Sequence, residues 1–100
     1  MRQTVPEMLR DAAETYEERN QLYGDNYRFF GDIMKALFPH SINLSSTNDY
    51  SRYALLLLMA MKLDRYAKQF DQGGHDDSLL DLAVYSQMLR ELDIECRRKE

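Results

Sequence analysis

The sequence predicts an all-α protein: a compact bundle of about four helices, with helix 47–70 long and central, and an oligomer rather than a monomer. Three observations lead there. Apolar residues recur at helical spacing along most of the chain, and no useful stretch alternates as a half-buried strand would. Only four glycines and two prolines interrupt 100 residues, too few for a turn-rich sheet fold. The segment "YALLLLMAM" at 53–61 is apolar almost all round, more than four helices of this length cover within one chain, and self-association is the economical explanation.

The first helix opens at Thr4 and Glu7, spaced as a capping box, with Pro6 in the first turn. Val5, Met8, Leu9, Ala12, Tyr16 and Tyr23 give it an apolar face, and Gly24 is a natural stop. Glu7, Asp11, Glu14, Glu18 and Asp25 form a charged stripe opposite, which reads as a solvated face. Asp25 or Asn26 can cap a second helix, whose face is Tyr27, Phe30, Ile33, Met34, Leu37 and Phe38 and which Pro39 ends. After the loop "PHSINLSST", Ser46 and Asp49 form another capping box. The helix they open carries Leu56, Met59, Leu63, Tyr66 and Phe70 toward the core, with Arg52 on the same line. "DQGG" ends it, and a last helix runs from about Asp77 to the mid-90s.

Length gives a single domain, 1–100, and the net charge of −4 offers no footprint for duplex nucleic acid. The apolar run of nine residues falls far short of the roughly 20 that span a membrane. The first twenty residues are charged throughout and carry no apolar signal region. One cysteine, Cys96, excludes an internal disulfide. A cytoplasmic protein is the expectation.

On the last helix Leu80, Val84, Tyr85, Met88, Leu89 and Leu92 make a broad apolar face, with Asp81 near its centre and Asp77 one turn earlier. Ser86, Gln87, Arg90 and Asp93 take the opposite, wet side. An inward carboxylate must be paired, metal-bound or neutralised. The plain reading is an ion pair, with Asp81 accepting from Arg52 or Arg19, and Asp77 or Ser78 capping the helix. The sharper reading is a polar pocket between helices. Arg19 and Asn20 flank Tyr16 and Tyr23 on the apolar side of the first helix, and Lys62, Arg65 and Gln69 share a strip on the third. With Tyr27, Arg52 and His75 these are the candidate ligand-binding residues; Asp77 and Asp81 are the candidate metal ligands, and no catalytic residue is assigned. "GGHDD" lacks zinc spacing, and no phosphate loop, dinucleotide fingerprint or nucleophile elbow occurs.

"ERNQLYGDNY", "MKLDRYAKQF" and "GGHDDSLLDLAVYSQML" together resemble a family of small phage and prophage nucleotide-modification-associated domains, related to the all-α MazG-like nucleoside triphosphate pyrophosphohydrolases. The resemblance covers roughly residues 15–92. Its Arg-x-x-x-Tyr-Gly element matches Arg19, Tyr23 and Gly24; its Lys-x-x-Arg matches Lys62 and Arg65; its Asp-Ser-x-x-Asp matches Asp77, Ser78 and Asp81. It implies a dimeric bundle that binds Mg²⁺ through carboxylates and hydrolyses a nucleotide between its α and β phosphates. The superfamily pairs Glu-x-x-Glu with a later Glu-x-x-Asp. Here Glu14 and Glu17 spell the first, but Glu14 faces away from the core and Glu17 sits at best on its border, and Asp77 and Asp81 replace the second at a spacing of four. Three functions follow as expectations: a Mg²⁺-dependent pyrophosphohydrolase, a non-catalytic binder sequestering a host signalling nucleotide in the host cytoplasm, or a structural protein with a core ion pair.

Overall fold

A computed structural model describes residues 3–23 and 26–98, with the side chains at 22, 23 and 26 outside the described set. Every regular element among those residues is helical: α1 (Val5–Tyr23), α2 (Asn26–Leu37), α3 (Thr47–Lys68), a single 3-10 turn (Phe70–Gln72) and α4 (Asp76–Arg98). None is long and apolar enough to cross a membrane. The expected stop at Gly24 and the expected cap Asp25 lie outside the described residues, and so does the side chain of the alternative cap Asn26.

The α3–α4 hairpin is the frame. Ser46 caps α3 through its hydroxyl, which accepts from the Asp49 N–H at 3.0 Å, while the Asp49 carboxylate accepts from the Ser46 N–H at 3.1 Å. The helix stops at Lys68 because the Gln69 and Gln72 N–H groups turn back to Tyr66 and Gln69 carbonyls. Gly73 and Gly74 then take positive φ, 97° and 99°, and reverse the chain. At Gly74 a Cβ would sit 2.9 Å from the Tyr66 ring, so glycine also lets the turn lie against the helix it has just left. Arg52 meets Asp93 and Lys62 meets Asp81, so α4 runs antiparallel to α3.

Helix α2 packs on α3, with Phe38 and Tyr53 rings 6.3 Å apart and Met34 buried. Met34 and Ala60 are the only buried apolar residues among those described. The all-helical architecture of four helices expected from the sequence is present, but the apolar face expected on α1 is not covered. Val5, Met8, Leu9 and Tyr16, the expected core face of α1, are all exposed, Val5 by 66%. Helical periodicity shows that a face needs cover, not which surface supplies it. Phe70, expected in the core, lies 68% exposed in the 3-10 turn, because α3 ends before reaching it. The radius of gyration is 17.7 Å, against about 13 Å for a compact domain of this length.

Candidate functional site

The C-terminal half of α3 carries Lys62, Arg65 and Lys68, which successive three-residue spacings bring to neighbouring positions on the helix surface. They border an open hollow of about 850 Å³, reached from other elements by Arg19 of α1, Phe30 of α2 and Tyr85 of α4. Leu58 and Met61 supply apolar wall beside them. Asp64 also lines it, and its nearly buried carboxylate takes the Lys68 ammonium at 3.0 Å. Lys62 binds Asp81 at 2.9 Å. Neither Arg19 nor Arg65 has a carboxylate partner among the described residues. Two forked cations thus border a space with aromatic groups in its wall, an arrangement suited to an anion with a flat organic part.

The expected site residues divide. Arg19, Lys62 and Arg65 come together in the hollow. Tyr27 does not line it; its hydroxyl accepts from Arg28 Nε at 3.1 Å. Asn20 lies on the exposed part of α1, and the Tyr23 side chain lies outside the described residues.

Arg52 is elsewhere. It bridges Asp93 at 2.8 Å and Asp49 at 3.6 Å, beside a separate hollow of about 350 Å³ walled by Phe38, Ile42, Leu56 and Leu89. Asp93, expected on the wet side of α4, is therefore Arg52's partner, and Asp81 pairs with neither Arg52 nor Arg19. The register of the hairpin decides this, since it sets Arg52 ten residues too early to reach Asp81.

Asp81 is also less enclosed than its place in the apolar pattern implies, with 45% of its side chain exposed. The apolar arc of α4 is wider than α3 can cover. Tyr85, Leu89 and Leu92 are half-buried, while Leu80, Val84 and Met88 stay outside.

His75 has a local role in the structure. Its Nδ1 accepts from the Ser78 N–H at 3.2 Å and lies 2.7 Å from the Ser78 hydroxyl, so it caps α4 in the place expected for Asp77 or Ser78. Ser78, 1% exposed, is the most enclosed side chain described. Asp77 is exposed at the first turn of α4.

Among the described residues no three His, Cys, Asp or Glu side chains gather to hold a metal. The Mg²⁺ that the family resemblance implies would find Asp77 and an Asp81 already engaged by Lys62, which is too small a donor set within one chain. Glu14 and Glu17 are exposed on α1.

Gln69 lines the hollow beside Lys62 and Arg65, as their shared strip implies, while Phe30, Lys68 and Tyr85 line it without having been singled out as site residues by the sequence. Lys68 follows Arg65 by three residues and could have been found from that spacing. Phe30 and Tyr85 carry no such signal, because aromatics on an apolar helix face look like core. Comparison with family models, curated proteins and solved structures returns no match.

Proposed function

We propose that this protein binds a nucleotide, or another small molecule bearing phosphate, in the hollow bordered by Arg19, Lys62 and Arg65. The observation that carries the reading is the pair of arginines that have no carboxylate partner among the described residues, in one hollow with Phe30 and Tyr85. Guanidinium forks take phosphate oxygens two at a time, and flat rings take a base or sugar face. About 850 Å³ falls within the roughly 300–1,000 Å³ of small-molecule sites. The net charge of −4 gives no general attraction for anions, so selectivity is local. The phage-family resemblance points to the same ligand class, and with it to a protein of the host cytoplasm.

Binding without turnover is the form the residues support best, as in a protein that sequesters a signalling nucleotide. Hydrolysis with Mg²⁺ is the second reading, favoured by Asp77 and Asp81 lying one turn apart at the start of α4. Because those two carboxylates do not make a metal site by themselves, no catalytic step is assigned to them. A homo-oligomer belongs to either form of the proposal.

The test is a thermal-shift panel of nucleotides, cyclic nucleotides and NAD-derived molecules, with and without Mg²⁺, followed by isothermal titration of wild type and Arg65→Ala. Arg65→Ala should weaken the ligand by about 1.5–3 kcal/mol, the scale of a hydrogen bond to a charged group, and leave the fold intact. Pyrophosphate release requiring Mg²⁺ would establish the second reading. Absence of any binding at millimolar nucleotide would leave a structural protein.

A further inference from the structure

The hollow that gathers Arg19, Lys62, Arg65 and Lys68 has one acidic group in its described lining, Asp64. Its side chain is 9% exposed, and its Oδ2 accepts from the Lys68 ammonium at 3.0 Å. Oδ1 has no hydrogen-bond partner among the described residues, and it keeps access to the space it borders. Holding Lys68 does not account for this placement. A lysine four residues after an aspartate pairs as well on the open surface of a helix, and enclosing a carboxylate adds a desolvation cost. A carboxylate also repels phosphate, so its use in an anion site is toward a part of the ligand that donates.

We infer that Asp64 selects a guanine nucleotide for the hollow, its carboxylate accepting from the N1–H and N2–H groups of the base. This rests on the nucleotide-binding reading above. An ionised carboxylate accepts and never donates. Guanine is the common base whose edge carries two donors side by side. Adenine and cytosine set one amino donor beside a bare ring nitrogen, which the second carboxylate oxygen repels, and uracil has one N–H between two carbonyls. Phe30 and Tyr85 stand in the same lining, and a base laid on either ring turns its edge, not its face, to the surrounding wall. Arg19 and Arg65 remain for the phosphates. The ribose diol is the other adjacent pair of donors in a nucleotide. It is common to every base, so base selectivity separates the two contacts.

Titration calorimetry without Mg²⁺, so that triphosphates stay intact, uses GTP, ITP, ATP, 2′-deoxy-GTP and inorganic pyrophosphate as probes. Wild type should bind GTP about tenfold or more tightly than ATP, the discrimination of a good two-point base contact. ITP, which lacks the 2-amino group, should fall between them, and 2′-deoxy-GTP should match GTP. Asp64→Asn keeps the side-chain volume but puts a donor in place of one oxygen. It should bring GTP and ATP within about threefold of each other and leave pyrophosphate, which has no base, bound at least as tightly. Lys68→Ala should keep the preference for GTP. Should Asp64→Asn fail to fold, the wild-type ranking of GTP, ITP and ATP decides alone.

Equal binding of GTP and ATP by wild type would overturn the inference, as would a GTP preference that survives Asp64→Asn. A parallel loss of GTP, ATP and pyrophosphate in that variant would also overturn it, since Asp64 would then serve only to hold Lys68. Dependence on the 2′-hydroxyl without any base preference would move the contact to the ribose and overturn it too. Each of these leaves nucleotide binding standing, whereas no binding of any nucleotide would overturn both.

Discussion

Lys62 Nζ lies 2.9 Å from Asp81 Oδ2, so the lysine bordering the arginine hollow is already neutralised by a carboxylate from the facing helix. The pair is partly exposed, with 21% of the lysine and 45% of the aspartate side chain reaching solvent. An incoming anion must compete with Asp81 for Lys62. Asp81→Asn removes the competitor and keeps the side-chain volume. Pyrophosphate should then bind more tightly, by up to about 1 kcal/mol, the scale of an exposed ion pair. Titration calorimetry reads this directly, and weaker binding by the variant would argue that Asp81 itself holds the ligand.

Gly74 and Gly31 should respond oppositely to alanine. Gly74 has φ of 99° and stands where a Cβ would press on the Tyr66 ring, so Gly74→Ala should destabilise by more than about 1 kcal/mol. Gly31 lies within α2 with nothing near its missing Cβ, and Gly31→Ala should stabilise by roughly 0.5–1 kcal/mol. Urea midpoints of the two variants should move in opposite directions. A shared direction would contradict the turn geometry described for 73–74.

The His75 cap predicts a third pair of outcomes. His75→Ala leaves the Ser78 N–H without its acceptor and should cost about 0.5–2 kcal/mol, the usual loss at a helix N-cap. His75→Asn offers an acceptor at the same place and should recover most of it. Nucleotide affinity should be unchanged in both, since His75 does not line the arginine hollow. If affinity falls while stability holds, His75 is a ligand group after all.

What the sequence revealed, and what it hid, follows from the range of each interaction. The Ser46–Asp49 box spans four residues, and both of its bonds form as the spelling implies. That Lys62 and Arg65 lie side by side was readable, because both stand on one helix at a spacing of three. The partners of Asp81 and Arg52 were not readable, because they depend on the register between α3 and α4, which the turn at 69–74 fixes and no periodicity reports. The exposure of α1 was hidden for a similar reason. A stripe of Val5, Met8, Leu9 and Tyr16 looks the same in sequence whether its cover comes from its own chain, from another, or not at all.

The α3 cap should make stability sensitive to acid. The Ser46 and Ser45 backbone N–H groups both donate to the Asp49 carboxylate, and they hold its pKa below the ordinary aspartate value. A carboxyl group depressed by folding contributes stability that is fully present above its unfolded pKa of about 3.9 and fades as pH falls toward its folded value. Protonation takes away the charge that draws those N–H groups and the favourable interaction with the helix N-terminus. Asp49→Asn keeps an acceptor oxygen but has no charge to lose. Wild type should therefore be more stable than Asp49→Asn near neutrality, and the gap should narrow through the acid range as the wild-type carboxylate takes up its proton. Denaturant midpoints of both proteins, followed between about pH 6 and pH 3, measure the gap directly. A difference that stays constant over that range would mean the substitution acts through packing or through the Arg52 contact at 3.6 Å rather than through the ionised cap.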